Sequence, residues 1–70
     1  SGKAASLRKD ITKLKQRTIK LENKREKIDK KTADAFNRQE IDLTQIQEWL
    51  DEMDDIDSKL NPLKQELEQS

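Results

Sequence analysis

The sequence predicts an all-α fold: an antiparallel coiled-coil hairpin of two long helices that associates into a multi-helix bundle. Three observations carry this expectation. Leu7, Leu14, Leu21 and Ile28 recur every seven residues, the spacing that gathers apolar side chains on one helix face. The back half repeats the pattern in three adjacent rows: Leu43 and Leu50; Ile46, Met53, Leu60 and Leu67; Trp49, Ile56 and Leu63. The two halves also carry opposite charge. Residues 1–31 hold twelve Lys and Arg against four Asp and Glu, whereas residues 32–70 hold three against eleven, so a net charge of zero conceals +8 and −8.

Residues 1–3 read as a remnant of cloning or a tail. The basic first helix is expected over 4–33. Its d positions are Leu7, Leu14, Leu21 and Ile28, and its a positions are Ala4, Ile11, Thr18, Arg25 and Thr32. Three of those a residues are polar. Arg25 can lay its stem along the seam and keep its guanidinium in water. Ile19 falls off the seam.

A turn is expected over 34–37. Asn37 suits a helix N-cap, Glu40 stands three residues on, and Phe36 and Ile41 flank them at the spacing of a hydrophobic staple. Neither Gly nor Pro marks the link. A four-residue slip in the heptads fits either a turn or a stutter in an unbroken helix. The acidic second helix follows over 38–60. Asn61-Pro62 then leads either to a short third helix over 61–70 or to a kinked continuation of the second. The alternative architecture is one straight helix, roughly 100 Å long, in an antiparallel dimer; a hairpin would measure roughly 45–50 Å.

Folding the chain at residue 35 sets Leu14 against Ile56, Ile11 against Leu60, Leu7 against Leu63 and Leu21 near Trp49 and Ile46. Basic flanks then run beside acidic ones, which selects an antiparallel arrangement over a parallel one. Three apolar rows make a wider stripe than one partner helix covers, so the second helix is expected to meet more than one neighbour.

Composition narrows the function. With 30% hydrophobic and 43% charged residues, 70 residues form one thin-cored domain. The chain has no cysteine and no histidine, so it lacks thiolate ligands and the commonest general base. Neither a cofactor nor a metal is expected. The run Asp51-Glu52-Met53-Asp54-Asp55-Ile56-Asp57 lacks the spacing and the glycine of an EF-hand loop and reads as a solvated helix face. A narrow bundle of this size offers no pocket in which carboxylates would work as acid and base, so no enzyme is expected. No apolar run is long enough to cross a membrane, and an intracellular, cytoplasmic setting is expected.

Glu48-Trp49-Leu50-Asp51-Glu52 is similar to the Trp-containing first helix of spectrin repeats. The resemblance covers these five residues. The chain is too short for a whole repeat and lacks its third long helix, so that family is not assigned.

The function expected from the sequence is therefore protein–protein assembly. Its contact residues are Leu7, Ile11, Leu14, Leu21, Ile28, Leu43, Ile46, Trp49, Leu50, Met53, Ile56, Leu60, Leu63 and Leu67, with the cap at Phe36, Asn37, Glu40 and Ile41. The partner would be a second copy or another helical protein. The alternative is nucleic-acid binding by the basic helix, which its interleaved acids and lack of aromatics disfavour.

Overall fold

A computed structural model describes residues 2–69 as two antiparallel helices. Helix α1 spans Gly2–Asn37 and helix α2 spans Leu43–Glu68. The particle measures 57 × 17 × 14 Å. That length matches the 36 residues of α1 at about 1.5 Å each. The chain is a hairpin, and a single straight helix is excluded by the break at 38–42.

The break lies later than the sequence predicts. α1 runs through 34–37, the expected turn, and Asn37 is its last residue rather than a cap. It also starts earlier, so Gly2 and Lys3 are helical. α1 ends in a Schellman motif. Gln39 takes a left-handed conformation (φ 58°), its N–H donates to the Phe36 carbonyl (3.1 Å), and the Glu40 N–H donates to the Ala35 carbonyl (3.0 Å). Glycine normally fills that left-handed position. Here glutamine does, so the stop carries no glycine signal.

α2 is capped by Asp42. Its Oδ1 accepts from the backbone N–H of Thr44 (3.0 Å) and Gln45 (3.3 Å), satisfying amides that have no partner within the helix. Asp42 and Gln45 repeat the cap-plus-three spacing of Asn37 and Glu40. Ile41 and Ile46 repeat the staple spacing of Phe36 and Ile41. Phe36, Asn37, Glu40 and Ile41 therefore do not start α2. The left-handed turn at Gln39 decides for the second signal.

α2 continues through Pro62 to Glu68, so, among the described residues, 61–69 form no separate third helix. Proline lacks an N–H and leaves the Ser58 carbonyl without its usual helical donor. Pro62 is solvent-exposed, where water can satisfy that group.

The core sits between the middle of α1 and the middle of α2. Ile28, Ile56 and Leu60 are buried, and Leu21, Trp49 and Met53 pack against them. Each fully buried side chain of this size contributes about 1.5–3 kcal/mol. The buried a-position residue Thr18 is tolerated because its Oγ1 donates to the Leu14 carbonyl at 2.8 Å; Thr32 does the same to Ile28 at 2.9 Å.

Moving the turn changes the register. Leu21 lies with Leu60 rather than with Trp49 and Ile46, and Ile56 packs with Ile28 rather than with Leu14. Leu14 instead lines a groove with Glu66 and Gln69. Each α1 residue faces a partner about eleven positions further along α2 than a fold at residue 35 gives, or about three helical turns. Whole turns return the same face, so the apolar stripe still meets the apolar stripe.

Candidate interaction surface

α1 is ten residues longer than α2, with 36 against 26. Gln69 lies beside Asp10 and Lys13, so the first turns of α1 project beyond the end of the second helix. Leu7, on the row that faces α2 further along, is left 61% exposed there. Ile11 is half-buried.

At the other end of the rod α1 covers only two of the three α2 rows. Ile46, Trp49, Met53, Ile56, Leu60, Leu63 and Leu67 are buried or half-buried. The Leu43–Leu50 row is not covered: Leu43 is 79% and Leu50 52% exposed. Phe36 and Ile41, expected as a staple, are also open to solvent. Thus Leu7, Leu43 and Leu50, grouped with the seam residues by sequence, lie outside the core.

Of these open residues, Phe36, Leu43 and Leu50 share a face. Leu43, Leu50, Asp57 and Lys64 follow one another at seven-residue steps along α2, and Glu22, Asp29 and Phe36 do so along α1. Glu22, Asp29, Asp57 and Lys64 line one shallow groove with Arg25, which puts both rows on the same side of the hairpin. Arg25 belongs in turn to the row of Ala4 and Ile11. The face is therefore apolar at the turn end, charged in its middle and mixed at the open end, where Ala4 and Ile11 stand beside Arg8 and Lys15.

The middle is tied by ion pairs. Arg25 Nε donates to Asp57 Oδ1 at 2.7 Å and its Nη2 to Oδ2 at 3.3 Å. Lys64 Nζ lies 3.5 Å from Glu22 Oε1. The Arg25 guanidinium holds the Asp57 carboxyl below its ordinary value, chiefly through the hydrogen bond, while partial desolvation opposes this. In return, Asp57 holds the Arg25 guanidinium above its own ordinary value. The sequence places Arg25 at the seam with its head in water. It does not reveal the partner, because only the true register sets Arg25 beside Asp57.

The opposite side is more basic. Arg17, Lys20, Lys24 and Lys59 line a groove floored by Leu21 and Leu63. Lys59 is itself paired with Asp55 at 3.0 Å, and Glu52 and Asp55 line the next groove beside Lys24. Among the described residues no group of acidic side chains is arranged to hold a metal ion, and no helix is long and apolar enough to cross a membrane.

Compared with known protein families, characterised proteins and solved structures, the chain matches none of them.

Proposed function

We propose that the chain is a non-enzymatic helical interaction module that assembles proteins by coiled-coil-like packing of the apolar rows its own hairpin leaves open. The supporting observation is the uncovered Leu43–Leu50 row beside Phe36. Two leucines at heptad spacing form a ready seam for a further helix. The surface area points the same way. The chain exposes 5950 Å², whereas a compact monomer of its 8.2 kDa exposes about 4,500 Å². A lone hairpin thus keeps about 1,400 Å² more surface in water than a globular chain of equal mass.

The test is a photo-cross-linking residue placed at Leu43 and, as control, at Asn23 on the outer side of α1, in cells that make the protein. Discrete protein adducts at position 43 and none at position 23 are expected. No adducts at either position, or the same adducts at both, would end this reading.

A second reading is favoured by the groove of Arg17, Lys20, Lys24 and Lys59, which fits a phosphate backbone. It is the weaker one, since Asp55 and Glu52 stand nearby and no aromatic side chain lines the groove for stacking. Fluorescence anisotropy with a generic duplex at two salt concentrations separates the readings. Salt-sensitive binding would support the second, and no binding at low salt would remove it.

A further inference from the structure

We infer that the groove of Arg17, Lys20, Lys24 and Lys59 is a second docking surface, and that its occupant is an acidic amphipathic helix of another protein. The groove lies on the other side of the hairpin from Leu43 and Leu50 and is a separate surface from theirs.

Helix α1 sorts its charges between its two sides. Lys13, Arg17, Lys20, Lys24, Lys27 and Lys31 alternate four and three residues apart, so they form one stripe along one helix face. Of the four acids in residues 1–31, three, Glu22, Glu26 and Asp29, line the opposite groove with Arg25.

α2 departs from complementarity at one point. Elsewhere the hairpin sets opposite charges across the two helices: Arg25 on Asp57, Glu22 on Lys64, and Lys24 beside Glu52 and Asp55. α2 has two cations, Lys59 and Lys64. Lys59 stands in one groove with Arg17, Lys20 and Lys24, and no acid lines that stretch. Arg17, Lys20 and Lys24 make no ion pair among the described residues. A cleft lined by one sign of charge over low-dielectric walls concentrates the opposite sign, here carboxylates from outside.

The floor selects the kind of anion. Leu21, Pro62 and Leu63 line the groove among the cations, and Pro62 is exposed. A phosphate backbone would lose water against these apolar side chains and gain no donor from them, whereas an apolar side chain of a helix fits them. No aromatic ring lines the groove to stack on a base.

The ends of the groove limit the footprint. Asp10 and Glu66 line its continuation past Arg17, and Glu52 and Asp55 its continuation past Lys24. The cationic stretch therefore runs the seven positions from Arg17 to Lys24, about 10 Å or two helical turns. The occupant is a helix that presents one apolar residue with carboxylates three and four positions to either side.

The experiment uses the full chain, isotope-labelled for amide NMR, and a synthetic probe. The probe is an alanine-based peptide of about fifteen residues, long enough to be partly helical, with one leucine flanked by glutamates at those spacings. Saturable shifts of the amides of 17–24 and 58–63 are expected, with those of 43–50 unmoved. Lys20→Glu with Lys59→Glu should weaken binding about fivefold to tenfold, because two exposed ion pairs turn repulsive. Both side chains are exposed, so helicity by circular dichroism should hold. Reversing two charges elsewhere, Arg8→Glu with Lys15→Glu, should change binding less than about twofold, since salt screens distant charges. Putting lysine for the glutamates of the peptide, or serine for its leucine, should weaken it in each case.

Shifts at 43–50 in place of the groove would overturn this inference and leave the interaction-module reading standing. Equal binding of the lysine peptide would overturn it too, as would no shift at about 1 mM probe. A generic duplex that moves the same amides and displaces the peptide would give the groove to nucleic acid instead. Groove amides that move when the chain alone is concentrated would give it to a second copy. If the peptide seats in the groove and no adducts form at position 43, the interaction-module reading of the Leu43–Leu50 row falls and the groove stands.

Discussion

Arg25 and Asp57 form a two-pronged ion pair across the hairpin, 2.7 Å from Nε to Oδ1, between residues 32 apart in sequence. A guanidinium fork on a carboxylate is geometrically specific, so the pair opposes any slide of one helix along the other. Exchanging the charges tests this. Arg25→Asp alone and Asp57→Arg alone should each lower the melting temperature, and the double exchange should recover most of the loss. Equal losses in all three variants, measured by circular dichroism, would deny the pair a role in register.

The same pair sets a pH dependence. Asp57 has its folded pKa below the ordinary carboxylate value, so its stabilising contribution is present above about pH 4 and is lost as pH falls through the folded value. Arg25 is shifted upward and loses its contribution only in strong alkali. In Asp57→Asn the acid limb of the stability curve should be shallower than in the parent. Superimposable acid limbs would contradict this assignment.

Leu60 is 2% exposed at the centre of the core, and Leu43 is 79% exposed on the open face. Leu60→Ala should cost about 2–5 kcal/mol of unfolding free energy. Leu43→Ala should change the stability of the isolated hairpin by no more than about 0.5 kcal/mol. Chemical denaturation at concentrations where the chain is monomeric measures both.

Two substitutions separate the cap that forms from the cap the sequence also offers. Asp42→Ala should cost about 1 kcal/mol, because two backbone N–H groups lose their acceptor. Asn37→Ala should cost less than about 0.5 kcal/mol, since Asn37 ends α1 and caps nothing. The reverse order in a denaturation series would put the helix start back at residue 38.

Gln39 holds a left-handed conformation that disfavours any residue with a Cβ. Gln39→Gly should therefore stabilise the hairpin by about 0.5–1 kcal/mol. A loss of stability would mean that the turn does not depend on that conformation.

What the sequence reveals, and what it hides, follows from these residues. The two helices and their antiparallel pairing are legible because heptad leucines and opposite charges need no long-range information. The turn is ambiguous because two capping signals overlap: Asn37 with Glu40, and Asp42 with Gln45. The choice lies in the left-handed backbone of Gln39, which its side chain does not announce. The register error follows from the turn, and it is invisible to pattern matching because about eleven residues amount to whole helical turns. Of the contact residues, Ile28, Ile56 and Leu60 were readable as core. The exposure of Leu7, Leu43 and Leu50 was not, because it depends on where the opposite helix starts and stops.

The short link at 38–42 also governs how the molecule assembles in time. The two helices are sequence neighbours, so the first contacts near the turn close a small loop at little entropic cost. Each further turn can then zip onto the one before it, without waiting for a distant segment to diffuse into place. Helical chains dominated by such local contacts fold in roughly microseconds to milliseconds, so stopped-flow or temperature-jump traces should show one fast phase.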